Sequence, residues 1–435
     1  MRIRRNLAAL CWTAAVALLA VGCASASSSV PTATATSPRT SPAASSPAPA
    51  SSAPTASSSS PAGSALWLQT LQMSTARTGW ALYDSGNPSS TKFSPVLLAR
   101  TTDGARTWTD VTPPAARQML STMNATEAVD AADATHAYLA VTSPLLRSPT
   151  RLRTTEVFAT GDGGRTWTES APVKAAGDAS QLSFTDSTHG WLLVSEGAAM
   201  GRNPVRVYRT TDGGTHWSLT AQSPPMDSNS SAGIPVSCDK TGIAFASASA
   251  GWLSSVCAVG LSGELLVSHD GGVTWGPQPL PVSASMCGDN GCDLSGPEFT
   301  DGAGFVTVGS VAATPELLVS RDLGQSWQSL PLPAGSGAYP QIRFFGPRSG
   351  VLVPAGSQAS LGAVFYSTSD GGQSWTAVPQ GMHFTQLGAA VDFVSPVAGF
   401  GWILGGDAPG SSPPPMYATA DSGHTWTSFS PRLVS

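Results

Sequence analysis

The sequence predicts an all-β chain folded as one seven-bladed β-propeller, with four antiparallel strands in each blade. Three observations carry that expectation: an eight-residue pattern that occurs seven times, its near-constant period, and strand-like segments between the copies with nothing helical of useful length after residue 65. The pattern reads Ser/Thr, any residue, Asp, any residue, usually Gly, two variable residues, Trp. It occupies Thr101–Trp108, Thr160–Trp167, Thr210–Trp217, Ser268–Trp275, Ser320–Trp327, Thr368–Trp375 and Thr419–Trp426. Its aspartates are Asp103, Asp162, Asp212, Asp270, Asp322, Asp370 and Asp421, spaced 59, 50, 58, 52, 48 and 51 residues apart.

Each octet closes a longer unit. Upstream lies a Gly followed by a large apolar residue: Gly79-Trp80, Gly190-Trp191, Gly251-Trp252, Gly304-Phe305, Gly350-Val351 and Gly399-Phe400, with Ala137-Tyr138 in the second unit. Seven residues before most of those apolar residues stands another, as in Met73, Phe184, Phe245, Phe344 and Phe393. Segments such as QLSFTD, GWLLVS and RVYRTTD are rich in Val, Leu, Phe and Thr and are separated by Gly, Pro, Ser and Asn. Residues 65–435 divided by seven give 53 residues per unit, the length of a four-stranded blade. A lone blade leaves two apolar faces exposed, and closing seven into a ring buries them. The chain begins on a first strand and ends on a fourth, so the ring is expected to close without strand exchange.

The octet falls between the third and fourth strands and reads as a hairpin connection. Gly supplies positive φ at no steric cost, and the Asp carboxylate can accept backbone N–H groups of its own turn. The Trp (Trp108, Trp167, Trp217, Trp275, Trp327, Trp375 and Trp426) then offers a large apolar plate to the blade interface. These residues resemble the Asp-box, or bacterial neuraminidase repeat, in which the motif is a folding device on propeller hairpins. Seven equivalent carboxylates spread round a ring cannot converge on one substrate, so the aspartates read as structural.

The amino terminus, MRIRRNLAALCWTAAVALLAVGCASASSS, has three arginines before an apolar run that ends at Cys23, the pattern of a secretory signal. LAVGC resembles a bacterial lipobox, which implies cleavage after residue 22 and lipid on Cys23; a plain signal peptide with free secretion is the alternative. Residues 23–64 follow as the lipidated Cys and a Ser/Ala/Pro/Thr tether, with Arg39 as its one charge, a composition that cannot bury a core. The propeller would then span residues 65–435 on the outer face of the cytoplasmic membrane, attached only through its lipid. Losing Arg2, Arg4 and Arg5 takes the net charge from −5 to −8, which argues against nucleic acid as a partner.

Beyond Cys11 and Cys23 the cysteines are Cys238, Cys257, Cys287 and Cys292. An even number in an oxidising compartment suggests two disulfides with three possible connectivities; locality favours Cys238–Cys257 and Cys287–Cys292. Zinc is the alternative, weakly supported by a Cys-x₄-Cys with no nearby His. No cofactor and no metal is expected.

Topology sorts the loops. First-to-second and third-to-fourth connections share one face with the octets, so second-to-third and blade-to-blade connections form the candidate binding face. On the loops of blades one to three that face carries Arg117, Arg147, Arg151, Arg153, Lys174, Arg202 and Arg206, with few cations on the other blades. In an acidic chain this asymmetry suggests a basic sector for an acidic partner. No catalytic residues are expected. The sialidase reading that the Asp-box raises needs three arginines, a Tyr–Glu pair and an Asp, and begins with an Arg-Ile-Pro signature absent here; QIRFF and NPVRV do not supply it. Its candidate glutamates are Glu127, Glu156, Glu169, Glu196, Glu264, Glu298 and Glu316.

The octets, the upstream Gly-Trp strand and the export signal together resemble the photosystem II assembly/stability-factor-like propellers, as in STHGWLLVSEG followed by VYRTTDGGTHW. The resemblance covers residues 65–435. It implies a non-enzymatic, extracytoplasmic scaffold or assembly factor that binds a protein, with a glycan ligand or a sialidase-type glycoside hydrolase as the alternative. The Ser/Ala/Pro tether and 19 Arg against 3 Lys point away from a photosynthetic source.

Overall fold

A computed structural model of the chain describes residues 64–86, 94–122, 125–144, 153–197, 202–224, 233–257, 263–282, 286, 292–309, 313–354, 364–378, 389–403 and 413–434. Seven antiparallel sheets follow one another along the chain, each built from four consecutive strands in the order first, second, third, fourth. Blade one, for example, uses Trp67–Met73, Gly79–Asp84, Val96–Thr101 and Thr107–Asp110. Blade three uses Asp178–Phe184, Gly190–Ser195, Val205–Thr210 and Ser218–Gln222. In blade two the fourth strand is broken into Thr168–Glu169 and Val173–Ala175, both paired with Arg153–Thr160. First strands of several neighbouring blades touch one another, so they form the inner wall. The expected seven-bladed propeller is the observed one.

One cross-strand rule explains the two upstream motifs. The Gly that opens the second strand lies opposite the residue that ends the first: Met73↔Gly79, Phe184↔Gly190, Phe245↔Gly251, Phe299↔Gly304, Phe344↔Gly350 and Phe393↔Gly399. Each large side chain lies over its glycine. A Cβ on Gly190 would come within 2.4 Å of the Phe184 ring, and one on Gly251 within 2.3 Å of Phe245. Blade two has Ala137 there, and it can, because its partner is the small Ala131.

The same ring then bonds two blades through its faces. Phe184 stacks on Tyr138 of the preceding blade at 3.4 Å and meets its own octet Trp217 edge-on at 6.0 Å. Phe245 repeats this between Trp191 and Trp275, and Phe344 between Phe305 and Trp375. The residue after each Gly is thus the aromatic offered to the next blade. Where blade two lacks the Phe, Trp80 and Trp167 contact each other directly at 6.5 Å. Burying one such side chain is worth about 1.5–3 kcal/mol, and an aromatic pair adds roughly 0.5–1.5.

Two features depart from expectation. A short helix, Pro114–Leu120, lies in the link between blades one and two; Pro at its start and buried Ala116 and Leu120 seat it. The ring closure also differs. After the fourth strand of blade seven, Arg432–Val434 crosses to blade one and pairs in parallel with its fourth strand, Thr107↔Arg432 through Thr109↔Val434. Ser64–Ala65 then pairs antiparallel with that added strand. No blade borrows one of its four strands, yet both chain ends are latched on the outside of blade one.

The Cys238–Cys257 disulfide is present, closing blade four's first strand against the end of its second. Cys292 is disulfide-bonded too, and Cys287, its expected partner, lies outside the described residues. Cys23, the signal and nearly all of the tether lie outside them as well. Among the described residues no helix is long and apolar enough to cross a membrane.

Candidate functional site

The octets fold alike. In all seven, the fourth and fifth residues have φ between 57° and 91°, the left-handed region, which is why Gly-Gly recurs there. The first-position hydroxyl accepts the N–H of the fifth residue, for instance Gly272 N to Ser268 Oγ at 2.8 Å. The carboxylate accepts the N–H and the hydroxyl of the seventh residue, as Ser374 N at 3.0 Å and Ser374 Oγ at 2.5 Å do for Asp370. His216 fills that seventh position in the third copy by bringing its Nδ1 to 2.7 Å from Asp212, so the substitution keeps the contact. The seventh-position hydroxyl is the main cause that draws Asp162, Asp322, Asp370 and Asp421 down to about 2.

The octet turn also bonds the first-to-second turn of its own blade. Gly104 N donates to Arg77 O at 2.8 Å, Gly163 N to Thr135 O at 2.9 Å, Gly213 N to Thr188 O at 3.0 Å, and Gly371 N to Arg348 O at 2.8 Å. The two kinds of turn therefore share a face, as the strand count requires. Their polar groups are spent on one another.

On the opposite face the structure places the expected basic residues one by one. Arg117 donates to Asp110 at 2.6 Å, and Asp110 also receives the Tyr83 hydroxyl at 2.7 Å. Those hydrogen bonds hold Asp110 below the usual carboxylate range against its burial, while burial and Asp110 push the Tyr83 phenol up. Arg153 donates to Asp178 at 2.6 Å, and Arg206 is paired with Glu196. Arg202 bridges to Ser237 through the backbone. Lys174 is exposed. Arg147 and Arg151 lie outside the described residues. The three arginines with described pairings, Arg117, Arg153 and Arg206, are thus matched by local carboxylates rather than gathered into one patch.

The glutamates weighed for hydrolysis do not converge. Glu156 and Glu169 adjoin each other on the third and fourth strands of blade two, and burial, then Glu169, raises Glu156. Glu316 accepts Ser329 Oγ at 2.7 Å in blade five. Glu298 pairs with Arg343 at 3.2 Å between blades five and six. Glu264 lines an apolar cleft of about 440 Å³ beside Leu265, Trp275 and Leu294. Tyr208 stands next to Arg206 and Glu196, but it is packed in the blade two–three core and meets one guanidinium, not three. Among the described residues no three His, Cys, Asp or Glu side chains could hold a metal ion.

An inner ring escaped the sequence reading. The residue before each first-strand partner of the Gly (or Ala137) is Gln72, Asp130, Ser183, Ala244, Glu298, Arg343 and Asp392. Gln72 Oε1 accepts Ala131 N at 3.0 Å, Asp130 accepts Phe184 N at 2.9 Å, and Ser183 accepts Phe245 N at 3.1 Å, each in the next blade. Glu298, and then Asp392, raise Arg343 against its burial. A cavity of about 190 Å³ lies against Asp130, Ser183, Ala244 and Phe299. The signal was available, as a polar residue directly before the apolar one in most of the repeats.

A family described as photosynthesis system II assembly factor YCF48 matches residues 224–393. This is the family the octets resemble. Among solved structures, YCF48 bound to D1 peptide is similar over 82% of this chain and 94% of that one, at 16% identity and a TM-score of 0.48. YCF48 from Cyanidioschyzon merolae is similar over 85% and 97%, at 15% identity and 0.46. Prolyl oligopeptidase B from Galerina marginata is similar over 83% of this chain and 51% of its own, at 11% identity and 0.52. At such identities the likeness concerns fold alone. A comparison with curated proteins gives no match.

Proposed function

We propose that the chain is a non-enzymatic scaffold of the YCF48-like kind, exported, lipid-anchored at Cys23, and binding a protein partner on the face opposite the octets. The observation that carries this reading is the division of faces: the octet side is consumed by turn-to-turn hydrogen bonds. The match of residues 224–393 to an assembly-factor family supports the same reading. Within the basic sector, Lys174 and the loop arginines Arg147 and Arg151 would meet an acidic partner, while Arg117, Arg153 and Arg206 shape the rim through their ion pairs.

A photoreactive residue at Lys174 and another at Gln373, an exposed octet position, would locate the partner in the native membrane. Crosslinks from position 174 alone are expected; crosslinks from position 373 alone would move the site to the octet face. Fluorogenic sialosides test the hydrolase alternative: turnover abolished by Glu264→Gln would replace the scaffold reading.

A further inference from the structure

We propose that Asp84 and Glu127 form a binding site for a calcium-class divalent cation, bridging blades one and two at the end away from the octets. Asp84 ends the second strand of blade one, opposite Trp67 and Val96. Glu127 is the second residue of blade two's first strand, Thr126–Ala131. Along that strand Val129 and Ala131 pack into the core shared with blade one, whereas Ala128 packs towards blade three. Side chains alternate along a strand, so Glu127 faces blade one together with Val129 and Ala131. There it meets Asp84, which is buried and held by the Gln69 amide.

The pair differs from several other carboxylates near this face. Asp110, Asp178 and Glu196 each have an arginine. No cation pairs with Asp84 or Glu127 among the described residues, and Glu127 has no hydrogen-bond partner there. Protein encloses Glu127 on nearly every side, yet it keeps a little accessible surface, enough to admit an ion and its waters. The remaining groups of blade one next to Asp84 are accounted for: Tyr83 points to Asp110, which also takes the linker-helix Arg117.

Two carboxylates facing each other in a poorly solvated cleft cannot both ionise without a counter-charge. Burial, then Asp84, pushes Glu127 up to about 7, and burial raises Asp84 despite the Gln69 hydrogen bond. Calcium suits the donors present: it takes carboxylate, amide and water oxygens in flexible geometry, where magnesium demands a near-ideal octahedron. The Gln69 amide can turn its oxygen inward, since the two ends of an amide are nearly isosteric. With two carboxylates the affinity falls in the range of extracellular modules, Kd about 10⁻⁴–10⁻³ M.

The test is thermal unfolding and calorimetric titration of the full chain, stripped of metal, with calcium or magnesium at pH 7.5 and 5.5, for the wild type, Glu127→Gln and Asp84→Asn. Calcium should raise the wild-type midpoint with saturation in the millimolar range. The response should fall about tenfold or more in affinity in either variant and at pH 5.5, where a proton competes for Glu127. Magnesium should act weakly. No calcium response in the wild type overturns the site and leaves the pair to a shared proton; a response that survives both substitutions places the ion elsewhere and overturns it equally. Terbium luminescence of the wild type across the same pH range decides the matter if a variant does not fold: emission that does not fall with pH overturns the site.

Discussion

At the scale of single residues, the octet is a turn whose geometry demands two successive left-handed residues. Glycine meets that demand in most copies, but Ala105, Leu323 and Ser422 carry φ of 65°, 57° and 64°. A side chain in that region costs roughly 1–2 kcal/mol, partly offset by the greater freedom glycine has in the unfolded chain. Leu323 is 46% exposed and has little packing to lose. Leu323→Gly should therefore stabilise by about 0.5–1 kcal/mol, read as a higher midpoint in denaturant unfolding; a lower midpoint would show that the leucine does more than fill the turn.

The carboxyl groups pull stability in two directions with pH. Octet aspartates such as Asp370 and Asp421 have folded values depressed to about 2, so their contribution is complete above the unfolded value and is lost as pH falls through about 2. Glu127, raised to about 7, works with the opposite sign: the folded state favours its protonated form, and stability drains away as pH rises from about 4.5 through 7. Metal-free protein should unfold at its highest temperature near pH 5, lower at pH 8 and lower again at pH 2.5. A midpoint still rising between pH 5 and 8 would remove Glu127 from this account, and calcium should flatten that alkaline limb if the proposed site is real.

At the scale of elements, the recurring Gly and Phe are one device. The ring needs a surface without a Cβ to lie on, and the blade next door supplies an aromatic to cover its other side. The ring closure has no such repeat behind it. Arg432–Val434 is a three-residue strand whose partners begin at Thr107 and Ser64. Its backbone hydrogen bonds, and not a periodic side-chain pattern, hold blade seven's end against blade one. Deleting residues 432–435 should lower the thermal midpoint and expose the Thr107–Thr109 amides to hydrogen exchange first. Unchanged protection at 107–109 would mean that the blade one–seven core, which joins Trp108 with Phe400 and Trp402, closes the ring by itself.

At the scale of the whole molecule, apolar packing runs from blade to blade in clusters that straddle the interfaces. Tyr138 of blade two packs with Leu182 of blade three, and Trp191 of blade three with Leu266 of blade four. No blade completes a core alone, so stability should be carried by neighbour contacts. A fragment holding only blade three, residues 178–222, should show no cooperative unfolding by circular dichroism, whereas the intact chain should unfold sharply. A sharp transition in the fragment would refute the dependence on neighbours.

Fold class, blade number, blade phase and the face occupied by the octets were legible in the sequence, because each is set by a local pattern repeated seven times. The Cys238–Cys257 bridge was legible from proximity along the chain. The helix at Pro114–Leu120 had its own signal, two prolines followed by Ala, Ala, Arg, Gln, Met and Leu, which the dominant strand period obscured. What the sequence could not decide were meetings between residues far apart in the chain. The basic side chains were visible, but their carboxylate partners, such as Asp178 25 positions after Arg153, were not. Neither the latch of residues 432–434 onto blade one nor the facing of Asp84 and Glu127 has a local signature. Repetition encodes each blade in short-range turn and strand chemistry; only the closing of the ring brings the unrepeated residues together, and there burial and charge take their values.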